Sequence, residues 1–197
     1  MSKSTATIIL VIIIIFTLPI FFIVIPILFM MYNSLTKKKN QVDMSFSGID
    51  VMLKKRSDLI PNLVNSVKQI MKHEKEVFTK ITELRSKILD NQDDVEKRFE
   101  MENTMSQLLG AINVSMENYP EIKSDQNMAQ LQRSLTEIEE QLSASRRAYN
   151  SSVLTLNNSI TTIPSNIMAG FMSLKERVYF QATEAERATP NVGKLFD

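Results

Sequence analysis

The sequence predicts an all-α protein, with an N-terminal transmembrane helix followed by an antiparallel bundle of long helices. Three observations carry that expectation. The 24 residues from Ile8 to Met31 contain no charge. From there to Val178, apolar residues recur at spacings of three and four. Helix breakers are scarce, with 4 Gly and 6 Pro in 197 residues, whereas Glu, Lys, Leu and Gln are common.

As a helix, the uncharged run rises about 36 Å, enough for a hydrocarbon core about 30 Å thick. A buried helix of this length would need a far larger protein around it. Ile8, Ile15, Pro19, Pro26 and Met31 mark this anchor. Pro19 and Pro26 each remove a backbone donor, and membrane helices tolerate the resulting bend. Thr17 is the one polar group that a transport role could use there. Phe29–Met30–Met31–Tyr32 offers no small-x-small cleavage site, so the run reads as retained. Lys37–Lys38–Lys39 follows it, against Lys3 and the α-amine before it. The positive-inside rule then places the large domain in the cytoplasm, tethered to the cell membrane by a single pass.

After a short segment 1–7 and the span 8–31, residues 32–164 read as the bundle. A first helix, about 32–60, carries Leu35, Val42, Phe46, Ile49, Leu53 and Ile60; no breaker except Asn33–Ser34 separates it from the span. Pro61 suits the first turn of a second helix, about 61–90, or a kink. Only Glu74 interrupts the apolar stripe of that helix. The acids of Asp90–Asn91–Gln92–Asp93–Asp94 favour a third helix start, over about 93–118. A fourth, about 124–163, keeps heptad spacing from Met128 through Leu142, Tyr149 and Leu156 to Ile163. Sustained heptads mean an intermolecular coiled coil or left-handed bundle packing, and short connections favour the antiparallel bundle. Within 165–197, Ile167, Met168, Phe171, Leu174 and Val178 suggest a short amphipathic stretch. It lies on a bilayer, docks on a neighbouring subunit or caps the bundle. The remainder reads as an extended tail.

Charge and chemistry narrow the function. Four of the 23 basic residues precede Asp43, leaving 19 basic against 22 acidic residues and a net charge of −3. That is no footprint for nucleic acid. With no Cys and His73 as the one histidine, thiolate and multi-histidine metal sites are excluded. Glu74 beside His73 faces another way on a helix. The pair Glu139–Glu140 reads as solvated, and the isolated glycines form no phosphate loop. The expectation is a protein that is not an enzyme, with no cofactor, metal or small-molecule substrate. Tyr149 lies on the apolar seam, and its hydroxyl needs a partner. Asn150 and Asn157, one heptad apart, make a polar stripe beside Arg146–Arg147. Such a stripe fixes register inside the bundle or meets another protein.

At these residues the sequence resembles the LemA family of bacterial membrane proteins. Tyr32–Asn33 and Asn40–Gln41–Val42 match first. The most specific stretch is Ile49 to Glu74, with Lys55, Arg56, Asp58, Leu59, Ile60, Pro61, Asn62, Leu63, Val64, His73 and Glu74. Glu117–Asn118–Tyr119–Pro120 with Lys123 follows. Then comes Arg146 to Phe171, including Arg147, Tyr149, Asn150, Asn157 and Pro164, and last the tail from Tyr179 to Phe196. Phe46 stands where the family often has Trp, and Leu156 where it often has an aromatic. The resemblance implies an up-and-down four-helix bundle behind one span, and no established enzymatic activity. Some relatives resemble lipoproteins, and others are linked to magnetosome membranes, which implies a part in organising membranes.

Two functional expectations follow. One is a scaffold that forms homo-oligomers through the fourth helix or the Ile167–Val178 stretch and organises or remodels the lipid bilayer. The other is an adaptor that recruits a membrane or signalling protein to the polar face around Arg146 and Asn150.

Overall fold

Long apolar-striped segments with few breakers fold, among the described residues, as six helices and one 3-10 turn. The computed structural model describes residues 3–68, 70–90 and 94–181, with side chains before Phe21 described only at Ile15. Helix α1 spans Lys3–Val67, α2 Lys75–Asp90, α3 Val95–Met116, α4 Pro120–Lys123, α5 Gln126–Thr161 and α6 Ser165–Phe171. No strand occurs among the described residues. The chain divides into two units, Met1–Met44 with Ser152–Arg177, and Ser45–Ser151 with Val178–Asp197.

Of the two expectations for Pro61, the start of a new helix does not occur. Helix α1 is continuous from Lys3 to Val67, so the span and the first bundle helix are one element and Pro61 lies in its interior. A proline there cannot donate to the carbonyl four residues earlier, that of Ser57. Arg85 of α2 supplies the missing donor: its Nε donates to the Ser57 carbonyl at 3.0 Å and to Ser57 Oγ at 3.2 Å. An orphaned carbonyl is thus satisfied from another helix. Arg85→Met is expected to cost about 1 kcal/mol. It should cost less when Pro61→Ala restores the helical donor, a difference that a double-mutant cycle in denaturant would read.

The expected second helix is also divided. After Val67 the chain turns, with Ile70 N–H and Met71 N–H both donating to the Val67 carbonyl. A 3-10 turn over Lys72–Glu74 then leads into α2. Val67 and Met71 are both fully buried, so the corner is held by packing rather than by a glycine or proline. Asp94 caps α3 by accepting from the Lys97 N–H at 3.1 Å. Asp93 and the tail beyond residue 181 lie outside the described residues.

In the second unit, Ile60, Leu63 and Val67 of α1 share one apolar core with Ile81 and Ile88 of α2, Met105 and Ile112 of α3, Ile122 of α4 and Met128 of α5. In the first, Leu35, Val42, Val153, Leu156 and Ala169 are buried. There Lys38 Nζ donates to Ser159 Oγ at 2.6 Å, and Arg177 pairs with Asp43 at 3.3 Å.

Candidate functional site

Three features of the described chain go beyond ordinary core packing, and the first is a buried cationic node. Arg56 occupies a core position of α1, between Leu53 and Ile60, and is 1% exposed. Its Nη1 donates to Ser106 Oγ at 2.6 Å and to Glu139 Oε1 at 2.8 Å. Its Nη2 donates to the Glu102 carbonyl at 3.2 Å and to the Glu102 carboxylate. Ser106 in turn donates to Glu139 Oε2 at 3.0 Å. Side chains of α1, α3 and α5 therefore meet at one guanidinium. Glu139 is half-buried and engaged, not solvated as its pairing with Glu140 suggested. Burial raises the Glu102 carboxyl above the usual range; Arg56, then Arg98 and Arg146, draw it back only in part.

The second feature is a pair of amide clamps. Asn157, in the first unit, accepts the Arg177 N–H at 2.9 Å and donates to the Arg177 carbonyl at 2.9 Å. Asn150, in the second unit, does the same to Phe180, at 2.8 Å each way. The Tyr149 hydroxyl donates to the Val178 carbonyl at 2.9 Å. Phe180 stacks on Phe99 with centroids 4.0 Å apart, and the Arg146 guanidinium lies 4.3 Å over its ring. Phe99 also meets Phe46 and Tyr149, at 6.1 and 5.8 Å, so Phe46 keeps an aromatic in this cluster. Leu156 fills its place as a buried aliphatic. Here the polar stripe of the fourth helix holds a later segment of the same chain.

The third feature is bare apolar surface. Among the described residues, α1 is the one helix long and apolar enough to cross a membrane. Phe21, Phe22, Ile23, Phe29 and Met30 are all exposed, Phe22 by 74%. Ile15 and Pro26 are exposed as well, and Met31 is half-buried. Ile8 and Pro19 belong to the same helical backbone, but their side chains lie outside the described residues.

The other family-motif residues are not brought together. Asp58 is exposed and pairs with Lys54 at 3.2 Å. Pro61 and Asn62 are exposed on α1, and His73 is exposed in the corner turn beside half-buried Glu74. Arg147 is exposed on α5 and donates to Ser143 Oγ at 2.9 Å. Pro164 precedes α6. Among the described residues, no three histidine or acidic side chains are placed to share a metal ion.

Among the described residues, fold and site together define an all-helical protein with one helix long and apolar enough to cross a membrane and an internal ion-pair node. The family model described as LemA family matches residues 45–193, and the chain belongs to that family. It is similar to Protein LemA of Metamycoplasma hominis, 27% identical over 179 residues that cover 89% of this chain and 82% of the relative. It is also similar to Magnetosome proteins MamQ 1 and MamQ 2 of Paramagnetospirillum magneticum. Each is 24% identical over 186 residues, covering 82% of this chain and 68% of the relative.

Proposed function

We propose that the chain is a non-enzymatic, membrane-anchored scaffold of the LemA type. Residues 8–31 cross the cell membrane once, and the rest forms an antiparallel, up-and-down four-helix bundle on its cytoplasmic side. Copies associate and organise or remodel the bilayer. The observation that carries this reading is the bare apolar surface of α1 from Phe21 to Met30. Farther along the same helix the apolar stripe from Leu35 through Val42, Ile49, Leu53 and Ile60 to Val67 is buried, so a run left uncovered in water calls for a lipid solvent. The side rests on Lys37–Lys38–Lys39 beyond the run. Two relatives named as magnetosome proteins support a role at a membrane.

The adaptor reading gains less. Asn150 and Arg146 are engaged with Phe180, so a partner approaching that face would meet the chain's own segment. The scaffold is tested by reconstituting the full-length protein in phospholipid vesicles and measuring its mass in detergent. Retention in the membrane after an alkaline wash, a multiple of the monomer mass and altered vesicle shape are expected. A monodisperse monomer that leaves vesicles unchanged would remove the scaffold. Recovery of the intact chain in the aqueous fraction would remove the anchor.

A further inference from the structure

Helix α6 turns one face inward and leaves another uncovered. Ala169 is buried and Met168 half-buried, while Ile163, Ile167 and Phe171 are 82%, 59% and 82% exposed. Ile167 and Phe171 are four residues apart within α6, so they share one face of the helix, and Ile163 is exposed in the turn that leads into it. A Schellman closure fixes the far end: Leu174 N–H donates to the Ala169 carbonyl and Ser173 N–H to that of Gly170, both at 3.0 Å. Ser173 takes φ 51°, the left-handed turn that this motif requires. The chain thereby leaves α6 directly after Phe171, holding that ring on the outer face.

Position relative to α1 says what covers the face. Met168 lines an open apolar groove of about 350 Å³ together with Ile25, Leu28, Phe29 and Tyr32. If a hydrocarbon core about 30 Å thick is centred on the run Ile8–Met31, it ends about ten residues beyond the midpoint, near Phe29. Ile25 then lies inside the hydrocarbon, and Tyr32 stands at the headgroups where aromatic belts sit. Met168 is thus level with the hydrocarbon boundary. The uncovered face of α6 joins the uncovered surface of α1 through this groove. Exposed Lys37 follows five residues beyond Tyr32 on α1, on the water side of that boundary.

We propose that α6 is an interfacial foot, which inserts the face carrying Ile167 and Phe171 into the leaflet where α1 leaves the bilayer. The proposal rests on α1 being a membrane anchor. It gives the scaffold a wedge in one leaflet, which a single vertical span does not supply.

The chain has no cysteine, so one introduced thiol carries one probe. Full-length Ile167→Cys and Phe171→Cys, labelled with an environment-sensitive fluorophore, are reconstituted in phosphatidylcholine vesicles. Phe22→Cys reports the anchor, and Val114→Cys reports an exposed site on α3. Lipids brominated on the acyl chains should quench about half or more of the emission at 167, 171 and 22, with little effect at 114. Quenching at 22 without quenching at 167 or 171 overturns the foot and leaves the anchor standing. No quenching at 22 removes the anchor and the foot together. Emission at 171 that follows the protein-to-lipid ratio and ignores bromine assigns the face to a second copy instead, which also overturns the proposal.

Discussion

Replacing Arg56 by methionine is expected to destabilise the fold by about 3–5 kcal/mol at neutral pH, the cost of removing one partner from a buried ion pair. Methionine fills much of the same volume, so cavity formation contributes little. The main loss is electrostatic. Glu102 keeps its buried position but loses its guanidinium, and Ser106 and Glu139 lose a shared donor. The Glu102 carboxyl is already raised by burial, and Arg56 is the largest influence holding it down. Without Arg56 it rises further, so the variant can neutralise the group by protonating it.

The sign follows from linkage. A carboxyl with a raised folded pKa binds more protons when folded, so its relative stabilisation is present at acid pH and lost as pH rises through the folded pKa. The deficit of Arg56→Met should therefore be largest at pH 7 and smaller at pH 5. Denaturant unfolding of the full chain in detergent micelles, followed by circular dichroism, would measure both. Arg56→Met combined with Glu102→Leu should recover much of the loss, because no buried charge remains unpaired. A deficit that stays constant with pH, or falls below about 1 kcal/mol, would contradict this account.

The node could have been read from the sequence, although the sequence reading did not find it. Ile49, Leu53, Arg56, Ile60 and Leu63 keep alternating spacings of four and three, so Arg56 stands on the apolar seam. Glu102 stands likewise between Phe99 and Met105. Two opposite charges at core positions of separate helices signal a buried pair, whereas Glu139 looks like one of two adjacent surface acids. The apolar run was legible from its length and lack of charge, and the helical stretches of α3 and α5 from their apolar spacing. Continuity through Pro61 was not, because the donor that permits it comes from Arg85, 24 positions downstream of Pro61. Nor was the corner after Val67, which lacks Gly or Pro; Glu74 in the apolar stripe was its one trace. The clamps were half-legible. A heptad of helix rises about 10.5 Å, close to three residues of extended chain, so asparagines at that spacing suit an extended peptide as well as a helix register. The sequence does not say which peptide.

The extended segment after α6 yields the second large effect. Asn150→Asp is nearly isosteric and is expected to cost about 3 kcal/mol at neutral pH, the upper range for an unsatisfied buried group, because the change involves a charge. One oxygen still accepts the Phe180 N–H. The other replaces the amide nitrogen 2.8 Å from the Phe180 carbonyl, so two acceptors face each other with no proton between them. Relief comes from moving the segment away, which also uncovers the Phe180 ring against Phe99 and Arg146. Protection of the Phe180 amide from hydrogen exchange should fall about a hundredfold, the equivalent of that energy. At pH 4 and below, the new carboxyl can hold a proton and donate again, so protection should partly return. Asn150→Ala separates the two causes: it removes both hydrogen bonds but adds no repulsion, and should cost about 1–2 kcal/mol. Equal losses in the two variants would mean that contact area, not the paired donor and acceptor of the amide, holds the segment on α5. The parallel change Asn157→Asp should act in the same way at the Arg177 amide, because that residue is clasped by the same two atoms.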